Sequence, residues 1–429
     1  MNYYDIVVVG AGASGVMAAI SVKLHHPEKK VLLLDRQDKI LSKVRASGNG
    51  RCNLSNKNLF PSNFYSIQSS EKQKNKFVQT SINQFNFQDT KDFFSDLGLF
   101  LRIDEEGRAY PYAEQAELVI DFLSAYLDQL KVKVLLNSDL DEIKMIEENP
   151  IKTDQDKRTN FKLHLQKRLP KSQKNKNLKS KFDQTNIVCE KLILACGSSA
   201  AKKLGGSHAG YELLHQLNVK ITDLRPALVP LILAKEEKLK TLKGQRFKGQ
   251  AILYKNQKLI FKTAGEFLFT EKGLSGIAAM EIARYIEKNS KYHITIDFIP
   301  DLNEQELKEF ILRQSEKIKE KDFSSLAKGF VRKNIAEYIA ENTNSYQELI
   351  ENLKALKFEV IGTLSAEKAQ IMAGGVILEQ IDFPSFSLKK NPNIYICGEL
   401  LDIDGKTGGF NLQWAWTSGY LAGQLKSAY

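Results

Sequence analysis

The chain has 429 residues, 42% apolar and 26% charged, with 26 Gly, 10 Pro and 4 Cys. That length allows two or three domains with real cores. The composition excludes a disordered, collagen-like or low-complexity chain, and no apolar run reaches the roughly 18–20 residues that span a bilayer.

The net charge of +11 is local. Lys152–Lys181 holds eleven basic residues against Asp154 and Asp156, a net +9, and the rest of the chain carries +2. A solvated lysine-rich loop and an electrostatic arm for RNA are both compatible with this run. No aromatic interleaves the lysines between Arg168 and Lys181, so base stacking there is unsupported. Cys52, Cys189, Cys196 and Cys397 show no CxxC spacing, which argues against a disulfide framework or a zinc site and fits a reducing compartment. The N-terminus enters a strand pattern at Ile6 with no basic n-region before it, so a cytoplasmic protein without membrane attachment is expected.

In chain order, Asp5–Val9 is a β-branched run stopped by Gly10, as suits a central parallel strand. Residues 13–24 read as a helix and Val31–Asp35 as a second strand, which completes a βαβ unit. Helices are expected at 71–84, 88–98 and 114–130, and a strand at 132–136. Residues 161–166 and 187–194 read as a hairpin whose loop is the basic run. From 219 to 270 short strand-like pieces alternate with Gly and Lys turns, suggesting an antiparallel β unit. Residues 275–289 and 303–355 read as charged helices, and the end returns to strand (Ile394–Cys397), glycine loop and helix (Leu412–Leu425).

The expected fold class is α/β. Both chain ends form a Rossmann-like domain (1–202 with 366–429), with an inserted β-barrel (203–272 with 356–365) and a small helical domain (273–355).

Gly10-Ala11-Gly12-Ala13-Ser14-Gly15 is GxGxxG between strand and helix. Gly10 allows the turn, Gly12 admits a pyrophosphate to the backbone, and Gly15 lets helix and strand pack closely. The helix N-terminus offers free N–H groups. Asp35, twenty residues on, can accept from ribose hydroxyls. A second glycine loop, 42–53, offers Lys43 and Arg51 to phosphates. Strand 192–196 ends in Gly197. Residues 397–413 place an acid pair and a double glycine before the last helix, whose dipole could stabilise an anionic reduced flavin. A nicotinamide enzyme needs no such C-terminal half-site; a flavin enzyme does.

Five runs occur in one order: Lys43-x-x-x-Ser47-Gly-Asn-Gly-Arg51-Cys52-Asn53, Leu224–Pro230, Phe269–Gly276, Ala373–Val376, and Cys397-Gly398-Glu399 through Gly408-Gly409-Phe410-Asn411 to Ala415. Together they resemble the BaiN/RdsA-like, aminoacetone oxidase-like family of FAD-dependent oxidoreductases. The resemblance implies that Gly10, Gly12, Ala13, Ser14, Gly15 and Asp35 hold the ADP half of FAD. It places Lys43, Ser47, Gly48, Gly50, Arg51 and Asn53 along the pyrophosphate-to-flavin path. Gly197, Gly398, Glu399, Gly408, Gly409 and Asn411 then surround ribityl and ring.

Cys52 is the candidate catalytic side chain, as proton donor when hydride adds to a C=C bond, against the reading of a small buried apolar residue. No metal site is expected. The leading activity is reduction of an activated C=C bond with electrons from NAD(P)H, on a small molecule or on uracil in ribosomal RNA. An amine oxidase releasing hydrogen peroxide and a non-catalytic FAD-binding RNA or assembly factor stay open.

Overall fold

A computed structural model describes residues 2–146, 160–167, 184–234, 237–287, 289–317 and 322–426. Most of Lys152–Lys181 lies outside the described residues. The chain divides into two compact units, Met1–Leu224 with Ile371–Tyr429, and Arg225–Gln370.

The first unit is built on a sheet with nine strands among the described residues. Its parallel core has β1 (Asn2–Val9), β2 (Val31–Leu34), β3 (Lys133–Leu135), β4 (Gln184–Leu194) and β5 (Asn391–Ile396), in the order β5-β4-β1-β2-β3. Val9 pairs with Leu34 on one side and Leu194 on the other, so these three strands end level with one another. Ile6, Val7, Val8, Leu33, Ile193 and Leu194 are fully buried, as strands covered on both faces require. Ala13–His25 forms α1, in the βαβ unit read from the sequence. Asn160–Lys167 pairs antiparallel with β4, as the expected hairpin requires. The Rossmann-like α/β fold expected from the sequence is the fold observed.

The second unit holds a closed barrel of six strands: Leu231–Leu233, Gly273–Ser275, Lys258–Phe269, Arg246–Lys255, Tyr292–Asp297 and Leu356–Thr363. Leu253, Phe267, Ile294 and Ile296 are fully buried. Pieces that read as three short strands between 246 and 269 are one long hairpin, turned at Asn256 and Gln257 with φ of +47° and +67°. Gly249 and Gly265 read as turn signals, yet they face each other within the ladder, and a Cβ on Gly249 would lie 2.6 Å from Asp297 O. There glycine marks close backbone approach, not a break. The segment 273–355, expected as helical, also supplies two barrel strands, because Tyr292–Asp297 alternates buried and half-buried residues at period two. No helix among the described residues is long and apolar enough to cross a membrane.

Candidate functional site

The first loop is shaped by backbone contact. Gly10 has φ +105° and a Cβ there would sit 2.4 Å from Ala195 O; a Cβ on Gly15 would sit 1.8 Å from Gly10 O. Both positions therefore exclude any side chain. A Cβ on Gly12 would meet nothing within 4 Å, so that side of the loop is open. Gly12 caps α1 without a side-chain hydrogen bond, which leaves the N–H groups of the first turn, at Ala13 and Ser14, without a side-chain acceptor from the cap. Asp35 accepts from the backbone N–H of Ala11 and of Gln37, each at 2.7 Å. Burial pushes its carboxyl up, and the two N–H groups oppose that shift. Asp35 thus ties the glycine loop to the end of β2, a function the sequence did not reveal.

Phe410–Gly423 is α2, the last helix, and it runs beside α1 in the same direction. A Cβ on Gly419 would lie 2.3 Å from Ser14 O, and one on Gly423 would lie 2.4 Å from Ala18 O. Ser21 Oγ also donates to Tyr420 O at 2.6 Å. Two glycines four residues apart make one bare stripe on which α1 lies. From this register α2 begins eight residues before α1, about 12 Å at 1.5 Å per residue. Both N-termini therefore face the same way, one ahead of the other. Gly409 caps α2 with φ +97° and no side-chain hydrogen bond, and a Cβ there would lie 2.3 Å from Ser55 O.

The glycine turn before α2 is held by side chains from elsewhere in the chain. Asn56 Nδ2 donates to Gly408 O at 2.9 Å. Asn53, with its amide turned to suit, accepts from Gly409 N at 3.1 Å and donates to Ser55 O at 3.0 Å. Asn411 accepts from Gly405 N at 2.8 Å and donates to Gly405 O at 2.9 Å, so its amide closes its own loop. Gln413 is fully buried and bonded to Ser55, Thr90 and Thr417. Periodicity gives no hint of this network.

Beside the start of α1, three distant segments meet at Glu399. Lys43 Nζ lies 2.7 Å from Glu399 Oε2, to which Ser198 Oγ donates at 3.2 Å, and a Cβ on Gly197 would lie 3.6 Å from the same atom. Lys43, expected at a phosphate, is thus paired with a carboxylate. Gly398 has φ +70°; its N–H donates to Ser418 Oγ of α2 at 2.9 Å, and a Cβ on it would touch Ser14 Oγ of α1 at 2.4 Å.

The loop at 47–53 turns through left-handed residues at Gly48, Asn49, Gly50 and Cys52. Ser47 Oγ donates to Val44 O at 2.7 Å, and a Cβ on Gly50 would meet nothing within 4 Å. Arg51, also expected at a phosphate, lies 5.1 Å over the Tyr110 ring and donates to Gly48 O at 3.1 Å. Cys52 has no exposed surface, and burial pushes its thiol up to about 12. That environment is the packing one, where a thiol stays a small neutral side chain.

The residues present fit an FAD. Gly12 and Gly50 leave open faces, and two helix N-termini without side-chain caps point one way, with the Lys43, Glu399 and Ser198 cluster beside the first. Arg36 Nε and Ser199 Oγ are buried polar atoms without a hydrogen-bond partner among the described residues. No cluster of three or more His, Cys, Asp or Glu able to hold a metal occurs among those residues. Fold and site together define an FAD-dependent oxidoreductase of the Rossmann class. The chain belongs to the family described as HI0933-like protein Rossmann domain, whose profile matches residues 4–165 and 153–425. It is 27% identical to the 3-dehydro-bile acid delta(4,6)-reductase of Clostridium scindens, over 97% of each chain. It is 25% identical to the ribosomal RNA dihydrouridine synthases of Haemophilus influenzae (98% of this chain, 97% of the relative) and Escherichia coli (99% and 98%). The resemblance read from the five motifs is thereby borne out.

Proposed function

We propose that the protein reduces a C=C bond conjugated to a carbonyl, and that its substrate is uracil in ribosomal RNA. The observation that carries this reading is the second uncapped helix start, at Gly408–Phe410, ahead of the first and facing the same way. A dinucleotide pyrophosphate needs one helix N-terminus; a redox ring that gains negative charge on reduction has use for another. The names of the relatives support the reaction class, since a delta(4,6)-reductase and a dihydrouridine synthase both saturate a ring double bond.

Bound FAD would supply hydride chemistry, and the chain's residues position it. The N–H groups at Gly12–Gly15 hold the pyrophosphate, and Asp35 fixes the loop and faces the adenosine ribose. Lys43, Ser198 and Glu399 set the middle of the cofactor, with Gly197 and Gly398 giving the room. Gly408 and Gly409, held by Asn53, Asn56 and Asn411, present N–H groups to the ring. Ser47, Gly48, Gly50 and Arg51 form the facing loop. NAD(P)H is the proposed electron donor, since the reduction needs a source of hydride. Four free cysteines support a cytoplasmic setting.

The test is the nucleoside composition of ribosomal RNA from cells with and without the protein. Loss of dihydrouridine in its absence is expected. An unchanged profile, with hydrogen peroxide released from small amines by the purified protein, would replace this reading with an amine oxidase.

A further inference from the structure

One face of a small sheet beside the two glycine loops carries exposed rings and guanidinium groups. The sheet joins Ser55–Asn56, Arg108–Pro111 and Leu101–Ile103, with Arg102 opposite Tyr110 and Asn56 opposite Arg108. Tyr112 N–H donates to Phe100 O at 2.9 Å, which extends the pairing by one step. Alternation sends Leu101 and Ala109 into the core and leaves Phe100, Arg102 and Tyr112 exposed on the opposite face, where Tyr110 also lies but is itself buried.

Phe100 and Tyr112 are each 67% exposed, and their rings meet edge to face at 6.0 Å. Burial normally favours such large apolar rings, so two of them standing together in solvent mark a contact surface. The face is bounded on one side by the 47–51 loop, where a Cβ on Gly48 would lie 3.5 Å from the Tyr110 ring and Arg51 covers that ring. On the other side Asn56 bonds Gly408, and a Cβ on Gly408 would lie 3.9 Å from Arg108. These are the loops assigned above to the ring end of the cofactor.

Charge narrows the occupant. Arg51 and Arg102 both reach the one carboxylate of Glu114, Arg51 at 4.0 Å and Arg102 in closer contact, so this trio beside the rings keeps one positive charge, while Arg108 at the far edge of the face is matched by Asp104 and Glu106. An apolar polycycle would have no use for that charge. A single-stranded polynucleotide offers both a π-face for the rings and a phosphate for the guanidinium.

We propose that Phe100 and Tyr112 form a stacking platform for an unpaired base next to the reacting one, with Arg51 and Arg102 receiving the intervening phosphate. This rests on the RNA reading above and adds the residues that recognise the strand.

The test uses the FAD-loaded protein and a uridine-containing single-stranded oligoribonucleotide of roughly 12 nucleotides, within the span such sites cover. Affinity is measured by fluorescence anisotropy over a salt series. The double variant Phe100→Ala/Tyr112→Ala is expected to bind roughly 10-fold or more weakly, with unchanged FAD content. Phe100→Tyr/Tyr112→Phe, which keeps both rings, should bind like the wild type. Arg102→Gln should lower the slope of affinity against salt by about one phosphate contact.

Equal affinity of the double variant and the wild type would overturn the platform while leaving the RNA reading intact. Failure of the wild type to bind the oligoribonucleotide would overturn both. Should the double variant lose its FAD, Arg102→Gln decides: an unchanged salt slope overturns the proposal.

Discussion

The two glycine turns that open α1 and α2 do the same job by different means. The turn at Gly10–Gly15 is shaped by backbone packing, with Gly10 pressed on Ala195 of the neighbouring strand and Gly15 on Gly10. The turn at Gly405–Gly409 is held by Asn53 and Asn56, some 350 residues earlier in the chain, and by Asn411 and buried Gln413. A turn that needs only the absence of side chains is written in a short glycine motif. A turn held by side-chain amides is written in part at Asn411 and in part at Asn53 and Asn56, far away in the chain.

The largest loss is expected from a side chain placed where the first turn has no room. Gly15→Val should cost about 3 kcal/mol or more, because its Cβ meets a backbone oxygen that cannot move aside. Thermal unfolding would show a Tm lower by many degrees, and a shift of only a degree or two would contradict the packing account.

A smaller effect is expected at Gln413→Ala. It leaves Ser55 and Thr90 without their buried partner and should cost about 2 kcal/mol. If the second turn hangs on this network, FAD affinity falls with stability; unchanged FAD affinity would separate the two.

Gly12→Ala sharpens the contrast from the other side. Its Cβ meets no protein atom within 4 Å, so the Tm of the FAD-free protein should hold while FAD retention on gel filtration falls. Unchanged retention would mean that nothing approaches this face.

The smallest effect is expected at Cys52. Its folded-state pKa of about 12 stands above the unfolded value, so the thiol stays protonated below about pH 12 and contributes no ionisation to a rate profile between pH 6 and 10. Its stabilising contribution is present below the unfolded pKa and is lost as pH rises through 12. Native protein should resist alkylation at this position, and Cys52→Ala should keep its activity. A profile that loses one ionisation in Cys52→Ala would restore the thiol as proton donor.

The same contrast governs what could be read from the sequence. β1, α1 and β2 were legible because β-branched runs, a glycine motif and an acid follow one another within about thirty residues. The barrel hairpin was legible as β but not as one hairpin, since Gly249 and Gly265 read as stops when they are points of close approach. At the site, Gly10, Gly12 and Gly15 lie where the motif puts them. Lys43 and Arg51 were expected on phosphates, yet they reach Glu399 and Tyr110, partners that folding alone brings near. Ser198, Gln413 and the Gly419–Gly423 stripe matter through contacts hundreds of residues away, and no local period encodes them.

The central claim is that α1 and α2, from opposite ends of the chain, grip one FAD. Chromatography and absorbance of the cofactor released from purified protein test it most directly. Yellow protein with one FAD per chain is expected, most of it lost in Gly12→Ala while the Tm of the FAD-free protein is unchanged. Colourless protein that takes up no added FAD would contradict it.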